Sequence, residues 1–303
     1  MSHIARLIGN TDEFPVLPKW DFFNHAGASP LPRRVADALR SYVNDTESAG
    51  YLAKNRYAGL DSIRELAGRM INAHRDEIAL LKNTAEGISI VARAIDFGPG
   101  DRIVTAAGEY PANVYPWMDA ARRTGAEVIL VPETTDANGR RAVAIDAILR
   151  EADHPRTRVV ALSHVEFATG QRLDVARIGA FCRAAGKLFC VDAIQSLGAL
   201  PVDVAAMKID YLSCGAQKWM LGAEGSATFY CRRELIEQTP PLLVGAVSVV
   251  NNLAYGDYDY TLQPTAGRFE CGTYNMGGLD AMRAAMELLH SLGASSIAAR
   301  MKS

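Results

Sequence analysis

The chain has 303 residues, 49% of them hydrophobic, 8% aromatic and 22% charged, which is the composition of a soluble globular protein with material for one large domain or two ordinary ones. Its 32 basic and 34 acidic side chains leave a formal net charge of −2, so no electrostatic argument favours a nucleic-acid or anionic-membrane partner. No apolar run reaches the ~18 residues of a membrane span, and MSHIARLIGNTDEFPVLPKW mixes acids and prolines where a signal peptide would carry an apolar core.

The first third reads as helical. LPRRVADALRSYVND (31–45) and LDSIRELAGRMINA (60–73) each carry one apolar face, and DEIALLKNTAEGISIVARAI (76–95) runs from a short strand into a helix through KNTAEG. Strands and helices then alternate. DRIVTA (101–106) is a predicted strand and NVYPWMDAARRTG (113–125) a helix closed by Gly125. AEVILVP (126–132) is a strand, followed by a charged loop and a helix over AIDAILREA (144–152). RVVALSHV (158–165) and KLFCVDA (187–193) are strands on either side of the helix DVARIGAFCRAAG (174–186). Two further core strands flank CGAQKWMLG, in IDYLSC and ATFYC.

Continuously apolar strands suggest a sheet covered on both faces, and strand–helix–strand spacing gives right-handed crossovers in a mostly parallel sheet. Ligands of such sheets collect beyond the carboxyl ends of the strands. Three polar clusters fall there: GEYPAN after 101–106, HVEFATG after 158–163, and Asp192.

Asp192, closing an apolar strand, reads either as a helix N-cap or as a buried carboxylate that needs a cationic partner. Thr84, Ala85 and Gly87 open a helix, which suits ordinary capping and equally an anion. Tyr110 is either packing or a stacking platform for a planar ligand. GRFECGTYNMGG (267–278) brings Arg268, Glu270, Gly272 and Thr273 together before a helix, as a phosphate loop or a subunit contact. Lys218 sits in a glycine-punctuated turn between two core strands, although lysines are ordinarily solvated. The five cysteines (Cys182, Cys190, Cys214, Cys231, Cys271) have no CxxC pair and four lie in apolar stretches, which reads as reduced thiols in the cytoplasm. The histidines are scattered, so no metal site is expected.

The order Thr84, Tyr110, Asp192-x-x-Gln195, Lys218, Thr273 resembles the class V aminotransferase group of fold-type-I pyridoxal-phosphate enzymes, which includes cysteine desulfurases, isopenicillin-N-epimerase-like proteins and kynureninases. VDAIQSLGALPVDVAAMKIDYLSCGAQKWMLGAEG is the most specific stretch, and the resemblance runs from FFNHAGASPLP (22–32) to the chain end. It implies an α/β fold, a three-layer α/β/α arrangement with a mostly parallel, mixed central sheet. It also implies pyridoxal 5'-phosphate as cofactor, an amino-acid substrate and a homodimer with shared sites. Residues 1–21 would form an N-terminal arm and 22–303 the cofactor-binding large domain.

By the same resemblance, Lys218 would form the Schiff base with the cofactor and move protons at the substrate α-carbon. Asp192 would hold the pyridinium nitrogen protonated, Gln195 would lie near the phenolic oxygen, and Tyr110 would stack on the ring. Thr84, Ala85 and Gln217 would bind around the phosphate and the lysine. Thr273, and with it Arg56, would reach over from a second subunit. Three positions depart from the family pattern: Gln217 replaces a histidine, Ala85 a hydroxyl residue, and Phe167 (after His164) the asparagine of desulfurases. These point toward the epimerase-like branch. The resemblance also implies a small C-terminal domain, carrying a substrate arginine and the desulfurase cysteine, which this chain is expected to lack. The alternative is therefore a cofactor-binding homologue that is catalytically impaired or structural.

Overall fold

Seven strands form the central sheet of the computed structural model, which describes residues 3–52 and 57–301. In chain order they are β1 (Ile78–Leu81), β2 (Arg102–Ala106), β3 (Glu127–Val131), β6 (Thr157–Ser163), β7 (Leu188–Asp192), β8 (Tyr211–Gly215) and β9 (Ala227–Cys231), with a separate hairpin of β4 (Glu133–Thr135) and β5 (Arg141–Val143). The order across the sheet is β1-β9-β8-β7-β6-β2-β3. Neighbours from β8 to β3 run parallel, and β9 is antiparallel to both β8 and β1, so the mixed, mostly parallel sheet expected from the sequence is present.

Alternation along each strand supplies both faces with apolar side chains. Val160 and Leu162 join one core with Val104, Val191 and Leu212, while Val159 and Ala161 join the other with Ile103, Cys190 and Phe229. The first core is closed by helices α3 (Leu60–Ile71), α6 (Ile145–Ala152), α7 (Val175–Ala184) and α8 (Met276–Leu292). The second is closed by α4 (Thr84–Ala94) and α5 (Tyr115–Thr124), with Trp117 fully buried. Helices α1 (His3–Leu7), α2 (Arg33–Ala49) and α9 (Ala294–Met301) complete the chain, and α2 packs along α8. β3 departs from the two-sided burial expected of it: it lies at the sheet edge with β2 as its one neighbour, and Leu130 is exposed.

Local signals explain several boundaries. Asn83 caps α4 by accepting from Glu86 N–H, Asp174 caps α7 by accepting from Arg177 N–H, and Gly125 ends α5 at φ 77°. The turn after β7 crosses the turn after β8 at close range. Gly198 has φ 101°, and a Cβ there would run into the Trp219 carbonyl. Gly198→Ala is expected to cost about 2–4 kcal/mol, from left-handed strain plus a backbone contact that cannot give way. A denaturant melt measures it; an unchanged midpoint would show that the two turns can separate.

Candidate active site

The carboxyl ends of β7 and β8 and the amino end of α4 converge on one region. Asp192 ends β7, is buried, and its carboxylate takes a single hydrogen bond among the described residues, from Ile194 N–H to Oδ1 at 2.9 Å. Burial raises its carboxyl to about 6, against the opposing effects of that hydrogen bond and of the Lys218 charge. Lys218 lies in the turn after β8, half-buried, and no salt bridge or hydrogen bond to its ammonium is formed among the described residues. Burial lowers its pKa, with Asp192 and Cys214 acting in the opposite sense. Its Nζ stands 5.4 Å from the centroid of the Tyr110 ring, and Phe167 meets that ring edge-on at 5.2 Å. Leu221, three residues on, has φ 61°, an uncommon conformation for a bulky side chain, and its N–H donates to the Lys218 carbonyl.

Thr84 is tied to the same turn. Its Oγ1 accepts from Gly215 N–H at 2.9 Å, and its carbonyl accepts from Ser213 Oγ. The hydroxyl keeps its own proton free to donate, beside the Ala85 N–H in the first turn of an 11-residue helix. Gln195 is pinned at both ends of its amide: Nε2 donates to the Ala26 carbonyl, and Oε1 accepts from Trp219 Nε1 at 2.9 Å. Gln217 accepts through its main-chain carbonyl from Ser29 N–H. His25 stacks on Trp219, so the segment 22–29 lies across the lysine turn.

One chain thus brings Thr84, Ala85, Tyr110, Asp192, Gln195, Gln217 and Lys218 to one end of the sheet. Thr273 stands elsewhere, exposed on a cleft of about 260 Å³ that it shares with Lys82, Glu86 and Cys271. Arg56 lies outside the described residues. His164 is buried behind Asp192, to whose carbonyl its N–H donates; burial first, and Arg172 second, lower its imidazole to about 4. Sequence reading passed over Glu109 and Glu166, both buried and each the residue before one of the contacting aromatics Tyr110 and Phe167. The one available signal is the repeated acid–aromatic pair, Glu-Tyr and Glu-Phe, at the ends of two predicted strands.

A three-layer α/β/α domain with a lowered lysine and a buried acid at the carboxyl edge of its sheet is the architecture of a cofactor-dependent α/β enzyme. The aminotransferase class-V family profile matches residues 21–303, and the chain belongs to that family. A probable cysteine desulfurase of Methanothermobacter thermautotrophicus is 31% identical over 93% of this chain and 69% of its own length. The apo cysteine desulfurase of Thermococcus onnurineus NA1 superposes with a TM-score of 0.82 at 25% identity, covering 95% of this chain and 72% of that one. The cystine C–S lyase C-DES, in complex with its reaction product cysteine persulfide, gives 0.83 at 26% identity, covering 93% and 75%. A lysine-to-alanine variant of C-DES carries glycine linked covalently to its pyridoxal-phosphate cofactor, with a TM-score of 0.84 at 25% identity over 94% of this chain and 75% of that one. Pyridoxal phosphate is the cofactor of this family. The residues here fit it: a buried carboxylate short of hydrogen bonds, an amine without an ion pair, an aromatic face, and a hydroxyl at a helix N-terminus.

Proposed function

We propose that the chain is a pyridoxal-phosphate enzyme that cleaves the C–S bond of a sulfur amino acid, with Lys218 as the residue that binds the cofactor covalently. The observation that carries this reading is the half-buried Lys218, free of any ion pair, between the Tyr110 ring and the buried Asp192. When bound, the cofactor supplies an electron sink for a carbanion at the amino acid's α-carbon. Lys218, its ammonium disfavoured by burial, reaches the neutral form that can take and return the α-proton. Asp192 would hold a proton on the ring nitrogen, Tyr110 would offer its face to the ring, and Thr84 with the Ala85 N–H would bind the phosphate. Residues 22–303 act as the cofactor-binding domain, with 1–21 as an arm. Thr273, exposed and away from Lys218, is read as serving the site of a second copy in a homodimer.

Among C–S reactions, transfer of sulfur to Cys214 is disfavoured. The residue is fully buried and interacts with Lys218 and Asp192, and burial pushes its thiol well above the ordinary range, so it is no acceptor nucleophile. The other cysteines are also free thiols, which suits a reducing compartment. No helix among the described residues is long and apolar enough to cross a membrane.

The test is the visible absorbance of purified protein with added pyridoxal phosphate. The lysine-dependent band is expected in the wild type and absent in Lys218→Ala, and sulfide or persulfide release from cysteine and cystine is expected to disappear with it. A wild-type protein without the band would overturn the reading. A band without sulfur release would leave a cofactor-binding or epimerase-like homologue.

A further inference from the structure

Two buried glutamates with no part in the proposed chemistry adjoin in sequence the aromatic pair of Tyr110, which faces Lys218, and Phe167, which packs on Tyr110. Glu109 precedes Tyr110 and Glu166 precedes Phe167, and they are 6% and 2% exposed. Glu109 grips the end of β6: Oε1 accepts from Ser163 N–H at 2.5 Å and Oε2 from Ser163 Oγ at 2.6 Å. Ser163 is the register partner of Asp192, so this grip reaches the strand pair that carries the acid of the site. Both Glu166 oxygens are buried with no hydrogen-bond partner among the described residues, and the first side chain whose electrostatics acts on them is Glu109.

Two ionised carboxylates offer only acceptors, and burying them side by side is costly. The charges around them deepen the problem. Asp192 acts on both, and Glu133 acts on Glu166. Neither glutamate forms a salt bridge among the described residues, and Arg141, the cation on neighbouring Glu133, is held by that carboxylate at 3.5 Å. A single proton between the two carboxyl groups gives Glu166 a donor and leaves one charge where there would be two.

We propose that Glu109 and Glu166 share one proton, and that this proton clamps the Tyr110 and Phe167 loops into one wall facing Lys218, making both glutamates positioning residues for the cofactor ring. The positioning role rests on the reading that Tyr110 covers that ring; the shared proton does not. With both glutamates charged, repulsion drives apart the loops that carry Tyr110 and Phe167, and the edge-on ring contact opens.

Burial is the main cause that raises both groups, Glu109 well above the ordinary carboxyl range and Glu166 to about 7. A raised folded-state pKa gives stability that is full below the unfolded value and is lost as pH rises through the folded one. His164 contributes up to its unfolded value near 6.5 and Asp192 through about 6, so the interval from about pH 7.5 to 8.5, above both, reports the pair.

The experiment measures thermal stability of the cofactor-free protein across that interval, and the rate of pyridoxal-phosphate release from the loaded protein. Wild-type stability is expected to fall with rising pH, and release to quicken roughly tenfold, the change one titrating proton brings per pH unit. In Glu166→Gln the amide donates to Glu109 with no proton to lose, so both profiles should be flat. Glu166→Ala, which provides no donor, should release cofactor fast at every pH. A Glu166→Gln protein that keeps the wild-type stability slope would overturn the shared proton. A flattened stability slope with an unchanged release profile would overturn the positioning role. Failure of Lys218 to bind the cofactor would sink the proposed function and leave the stability arm intact.

Discussion

Asp192→Asn is expected to weaken retention of pyridoxal phosphate by about 3 kcal/mol, on the order of a hundredfold, while stabilising the cofactor-free protein at neutral pH. The two effects have one origin. Asp192 is buried at the end of β7, and burial raises its pKa from 3.8 to about 6. Between those values the folded state holds a proton that the unfolded chain gives up, so stability is full below about pH 4 and lost as pH rises through about 6. At neutral pH the wild type therefore carries a penalty on the order of 2–3 kcal/mol for a charge that awaits its cationic partner. Asparagine keeps the oxygen that accepts from Ile194 N–H and removes the charge. Melts of the two cofactor-free proteins should coincide near pH 4 and separate at neutral pH, with the variant higher. A variant less stable than wild type at neutral pH would show that the charge is compensated within the chain.

What was legible in the sequence follows from which forces act locally. Strand β6 was visible because the run VVAL (159–162) is continuously apolar with two β-branched valines, and α5 because Gly125 closes it. The hairpin of β4 and β5 was read as a charged loop. Most of its residues face solvent, with Val143 alone buried, and it carries Asp136, Asn138 and Gly139 at the turn, so no apolar alternation marks it. Lys218, Asp192 and Thr84 stood out because polar residues closing apolar strands or opening a helix lie where ligands gather. Glu109 and Glu166 did not, since an acid next to an aromatic looks like an ordinary loop residue. Only the crossing of two loops, with Ser163 54 residues from Glu109, buries them against each other. Gln195 illustrates the same limit: its ties to Ala26 and Trp219 join segments that no local pattern connects.

Glu270→Ala is expected to cost about 3–5 kcal/mol of folding stability and to loosen the loop that carries Thr273. Glu270 is buried and joins three elements. Its Oε1 accepts from Leu80 N–H in β1 at 2.8 Å and from Arg64 Nε in α3 at 3.1 Å. Its Oε2 accepts from Arg64 Nη2 at 2.5 Å and from the hydroxyl of Tyr274. Truncation removes the acceptor of all these donors and leaves Arg64 with the solvent-exposed Asp61 on its far side and a long contact of 3.4 Å to the Tyr274 hydroxyl. Burial and the Glu270 charge push the Tyr274 phenol up, so its proton stays in place to bond the carboxylate throughout the neutral range. Glu270→Gln preserves an acceptor for Leu80 and should lose less than alanine does. Arg64→Met relieves the stranded charge, so the double variant with Glu270→Ala should be more stable than the sum of the single losses predicts, by about 1 kcal/mol or more. Urea unfolding of the four proteins measures that coupling. Strict additivity would mean that Arg64 turns to solvent when Glu270 is removed, and that Leu80 and Tyr274 alone hold the loop.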